Sequence, residues 1–217
     1  QSTKIDGLTV ADVKANHAPY DPNTDPKAAE KNERFAKKYV DSISTHYAVD
    51  DKGQVQTGIA KTADGVERAV IKRKDGTWGD LEDELKVAED QAKLDLEEEV
   101  RRHDQLLIAR ANTTDPNQIA EFDKQIAQQR EVVTRSSGVV TALGRARGKL
   151  MDKTTDLRVA LAAVQQEINN VNTQKLEYER AKAKYEGIEA WENAMARKDQ
   201  RRQQAKQGIM GFAQSAM

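Results

Sequence analysis

Cysteine is absent from the 217-residue chain, which excludes disulfides, thiol chemistry and cysteine metal sites. Aromatic residues make up 5% and hydrophobic residues 37%, thin for a compact single-core globule but suited to a long helical assembly. Neither sign of charge dominates. Lys plus Arg is 35 and Asp plus Glu is 36, so the net charge of −1 gives no global attraction to nucleic acid. No apolar run reaches the length of a membrane-spanning helix. The chain opens on Gln1, and no signal peptide is assigned from the sequence.

Recognisable chemistry is equally scarce. The histidines, His17, His46 and His103, show no ligand spacing between them. The Glu-x-x-His motif of a di-metal bundle is missing. There is no phosphate loop, dinucleotide fingerprint or nucleophile elbow. The carboxylates crowded between Asp80 and Glu99 read as a solvated helix face rather than a tuned acid–base pair. These features point away from an enzyme and name no catalytic, cofactor-binding or metal-binding residue and no cofactor.

The pattern that is present predicts a mainly α fold. Its architecture is an elongated antiparallel helical hairpin or coiled-coil bundle with a small N-terminal β element. Residues 1–26, broken by Pro19, Pro22 and Pro26, form an irregular N-terminal arm. Residues 27–78 form a small α/β head. In it, Phe35, Tyr39 and Ile43 share one helical face within residues 27–45. Val55, Thr57 and Ile59 alternate as in a strand, as do Val66, Arg68 and Val70, with Asp-Gly turns after each run. A lone hairpin is marginal, so Trp78 and the preceding helix are its expected packing partners. Residues 79–206 form the elongated helical or coiled-coil domain, and 207–217 an apolar C-terminal tail.

Within the helical domain, Leu81, Leu85, Ala88, Ala92, Leu96, Val100 and Leu107 make one stripe at helical spacing. The break at Asn112–Asp115 offers Asp115 as a cap, Pro116 as the first helical residue and Gln118 as a reciprocal capping partner. A three-four register then runs from Ile119 to Tyr185 without an insertion. A continuous helix of that length spans roughly 100 Å. Register continuity favours a helix that runs through. Ser136-Ser137-Gly138 and the Gly144/Gly148 pair favour a fold-back near 136–152. Leu157, Leu161, Val164, Ile168 and Val171 make the cleanest seam, and Lys175 and Lys182 interrupt its continuation.

The expected function is structural. This reading is an assembly protein, such as a secretion-apparatus, filament or viral-particle component, acting through helical self-association. Its packing or assembly residues are Leu157, Leu161, Val164, Ile168, Val171, Tyr178, Tyr185, Ile188, Trp191, Met210 and Phe212. The alternative is an adaptor or effector that uses residues 27–78 as a binding head. Arg197, Lys198, Arg201, Arg202 and Lys206 are candidates for contact with an anionic partner, a nucleic acid or a membrane surface. That reading is weaker, because the patch is short and lacks interleaved aromatics. The expected partner is a second copy or another protein.

Overall fold

The computed structural model describes residues 8–215 apart from Thr45, Lys52, Gly53 and Lys153, with Ser44 and residues 205–215 described as backbone alone. The fold is mainly α-helical with a small antiparallel sheet of three strands.

The N-terminal arm is more ordered than its prolines suggest. Helix α1 (Val10–Asn16) opens on a reciprocal cap, in which Thr9 and Asp12 bond each other's backbone amides. Val13 on this helix is fully buried, so the expectation of an irregular arm is corrected by a cap and a tertiary contact. Helix α2 (Ala28–Ser44) follows Pro26 and carries Phe35, Ala36 and Tyr39 inward. These side chains join Leu176, Trp191 and Met195 in one apolar cluster.

The strands β1 (Thr57–Lys61), β2 (Glu67–Lys72) and β3 (Trp78–Asp80) form a meander with β2 at its centre. Alternation sends Ala69 and Ile71 of β2 inward. The sheet packs on helices α3 (Leu81–Ala111) and α5 (Leu157–Glu186), whereas α2 packs on α1 and on α6 (Ile188–Ser215). Trp78 stays about half exposed, with its ring beside Gly58 and Lys72, so it is not the packing anchor expected of it.

Asp80 caps α3 by accepting from the Asp83 amide. Helix α4 (Pro116–Met151) begins at the expected proline, with Asp115 accepting from the Asn117 amide. Gln118 bonds the Thr113 hydroxyl instead of closing a reciprocal cap on Asp115. Helices α3 and α4 run antiparallel, tied by Arg110–Asp123, Gln129–Glu99 and Arg147–Glu89.

The through-running helix from 119 to 185 does not form. The chain reverses between Asp152 and Asp156, beyond the glycine cluster. There the Asp152 carboxylate takes the Thr154 amide and hydroxyl, and Asp156 caps α5 through the Arg158 amide. Short polar side chains satisfy the local backbone and end the helix. The glycines stay inside α4. A Cβ at Gly138 would lie 2.7 Å from the Gln174 side-chain oxygen of α5. Gly187 adopts φ 93°, which sets the turn from α5 into α6.

The main core fills the space between the sheet and α3, α4 and α5. On α4 the register positions Ile126, Ser136 and Leu143 are buried, and so are Val132, Val139, Ala142 and Ala146 beside them. Being flanked by helices on two sides gives α4 a wider apolar stripe than a single seam requires.

Candidate functional site

The seam residues Val164, Ile168, Val171 and Tyr178 are buried within one chain, and Leu157, Leu161 and Tyr185 are half-buried beside them. Ile188 and Trp191 are buried in the second cluster, against Phe35 and Leu176. The side chains of Lys206, Met210 and Phe212 lie outside the described residues, although the α6 backbone is helical through Ser215.

The basic stretch of α6 divides into two faces. Arg197 and Arg201 point outward and are exposed. Lys198 and Arg202, each about 100° further round the helix, point inward. Lys198 Nζ lies 3.0 Å from Glu179 and 3.7 Å from Asp95, above the Tyr178 ring. Burial alone would lower the Lys198 pKa, but the charges of Glu179 and Asp95 prevail and hold it above the ordinary lysine value. Arg202 meets the His46 ring nitrogen at 3.5 Å. As a patch for an anionic partner, the stretch therefore keeps Arg197 and Arg201 on the surface among its described side chains.

Two buried polar groups run along α5, and the sequence reading did not foresee them. Glu99, expected on a solvated face, is 1% exposed. It receives Lys182 Nζ at 2.8 Å, the Tyr178 hydroxyl at 2.9 Å and the Gln129 amide at 2.8 Å. Burial pushes its pKa up, but these donors outweigh that and leave it below the usual carboxylate value. One turn along, Glu179 accepts from the Trp191 ring nitrogen at 2.7 Å and from Lys198. It too is held ionised against burial. The sequence signal was Lys175 and Lys182 recurring at a core register, where a buried counter-ion is the usual reason for a charge.

Lys175 differs from both. Among the described residues no hydrogen bond or ion pair reaches its amine, and burial followed by repulsion from Arg202 lowers its pKa to about 8. It lines a cavity of about 130 Å³ whose walls include Ile71, Leu85, Val139 and Ile168.

The outer face of α3 presents the other unusual surface. Val87, Leu94 and Ile108 are 63%, 59% and 61% exposed and point away from the core. They fall in a row at seven-residue intervals with Arg101, beside a row of Asp83, Asp90, Glu97 and Asp104. Of the inward stripe read from sequence, Leu81, Leu85 and Ala92 are buried, whereas Val100 and Leu107 stand exposed, because the stripe turns out of the interface toward the end of the helix.

No group of three or more metal-ligating side chains occurs among the described residues. No helix in them is long and apolar enough to cross a membrane. Comparison with known proteins gives no match to a family model, a curated protein or a solved structure.

Proposed function

We propose that the protein is a structural assembly component that associates with further copies of itself through helical contacts. The outer face of α3 carries this reading. Three large aliphatic side chains at coiled-coil spacing stand mostly in solvent, flanked by a row of carboxylates. A buried helix needs only one apolar stripe, and α3 already buries Leu81, Leu85 and Ala92 on its other side.

The occupant is the C-terminal part of α6 from another copy. Arg197 and Arg201 supply exposed cations opposite to the acidic row, and Ile209, Met210 and Phe212 follow in the sequence. From Val87 to Ile108 is roughly 31 Å of helix, and from Arg197 to Ser215 roughly 27 Å, so the two runs match in length. A contact between different surfaces of two copies is head-to-tail, and it builds a ring or a filament instead of stopping at a dimer. In this assembly the antiparallel α3–α4 pair serves as an elongated hairpin, and α3 as one strand of an intermolecular coiled coil.

Light scattering after size exclusion, from about 1 to about 300 µM, tests the reading. Mass is expected to grow with concentration. Leu94→Asp or Ile108→Asp abolishes the growth while helix content stays unchanged. Arg197→Glu with Arg201→Glu weakens association, and Asp90→Lys with Glu97→Lys in the same chain restores it. A monomer at every concentration overturns the proposal.

A further inference from the structure

The cavity beneath Lys175 has two unlike ends. One end is apolar, formed by Ile71, Leu85, Val139 and Ile168. At the other end Lys175, Lys198 and Arg202 converge on Glu179 and Asp95. The wall also carries Glu84, so cations do not outnumber carboxylates, and what sets the site apart is the pairing. Lys198 holds Glu179 and Asp95, while among the described residues no carboxylate lies within ion-pair distance of Lys175 or Arg202. Glu84, also at the wall, is engaged by Arg73 and the Tyr47 hydroxyl. Asp199 faces the adjoining cleft of about 100 Å³, which shares Lys175 and Arg202 with the cavity and opens past His46 and Met195.

Lys175 is partly exposed, and an ammonium without an ion pair, partly withdrawn from water at a cavity wall, gains from a bound counter-charge. We propose that this cavity binds a small amphipathic carboxylate. Its anionic group sits between Lys175 and Arg202, and its apolar body lies against Ile71, Leu85, Val139 and Ile168. The volume sets an upper bound: a cavity of roughly 150 Å³ accommodates benzene, so about 130 Å³ holds a body no larger than one ring, with the carboxylate reaching into the adjoining cleft of about 100 Å³. The body is a single six-membered ring or a branched chain of similar bulk. The charge follows from the setting, because Glu179, Asp95 and Asp199 stand nearby and repel a monoanion less than a phosphate dianion.

Titration calorimetry on the full chain tests this with benzoate and cyclohexanecarboxylate as probes. Benzamide supplies the ring without the charge, and acetate the charge without the ring. Both acids are expected to bind at least about tenfold more tightly than benzamide or acetate. Lys175→Met and Arg202→Gln each weaken benzoate by about tenfold or more, whereas Arg197→Gln and Arg201→Gln on the outer face leave it unchanged. Lys175→Met removes an unpaired charge and is expected to fold, which circular dichroism checks.

A pH series on the unaltered chain gives a readout independent of any variant. Lys175 is faced by Arg202 and Lys198 from α6, Glu179 from α5 and Asp95 from α3. Its amine deprotonates near pH 8 in the empty cavity, so benzoate affinity falls between about pH 7 and about pH 9.5. No binding of benzoate at about 10 mM overturns the proposal. So does equal affinity for benzamide, or affinity indifferent to Lys175, Arg202 and pH.

Discussion

Lys175 and Lys182 lie one heptad apart on α5 and face the same packed interior, yet their surroundings are opposite. Around Lys182 the polar groups close on one another. Glu99 takes its ammonium, the Tyr178 hydroxyl and the Gln129 amide. Around Lys175 the carboxylates belong to Lys198, and the space beside the amine is a cavity. The helix that supplies both lysines is regular throughout. What differs is the neighbour, α4 with its Gln129 at one end and the sheet with α6 at the other. A buried charge with all its bonds made holds a fold together, whereas one without a partner marks a place where something else is to bind.

Substitutions that add to, unmake or relieve these arrangements rank by size. The largest effect comes from a charge with neither partner nor cavity. Val164 is fully buried on the same helix, and Val164→Asp is expected to cost at least about 4 kcal/mol in urea unfolding. Glu99→Ala takes the closest counter-ion from Lys182 and leaves it Glu186 at 3.7 Å, at a cost of about 3 kcal/mol. Replacing both partners together, Glu99→Leu with Lys182→Met, recovers most of that loss, which a double-mutant cycle measures.

Lys175→Met acts in the other direction and raises stability at pH 7 by about 1–3 kcal/mol. The sign follows from the titration. The folded value near 8 lies below the ordinary 10.5, so between those two values the unfolded chain holds more protons. Stability of the unaltered chain therefore rises with pH across that window, and Lys175→Met removes the rise. Unfolding curves at several pH values check both the gain and the slope. The smallest effect belongs to Gln166→Asp, two residues from Val164 on the exposed side of α5, which stays within about 0.5 kcal/mol.

Local signals in the sequence carried much of the secondary structure. The Asp115-Pro116 start of α4, the Asp-Gly turns of the sheet and the acidic first turn of α3 all depend on chemistry within a few residues. The reversal at Asp152–Asp156 was equally local. It was obscured because the periodic pattern continues across it, and periodicity reports a face, not the continuity of the backbone. Helix α1 was hidden by the prolines after it, although its Thr9–Asp12 cap stands in the sequence.

The sequence by itself determined that this chain is mainly helical, where α4 begins, and that Val164, Ile168 and Val171 share a helix face. Only the tertiary structure decided which side chains meet across long stretches of chain. Glu99 and Lys182 pair across 83 residues, and Lys198 reaches Asp95 from the far end of the molecule. Whether a lysine is sealed by a carboxylate or left beside a cavity depends on which helix is packed against it. Spacing along one helix sets the direction of a side chain, but the dielectric and the counter-charge around it come from its neighbours.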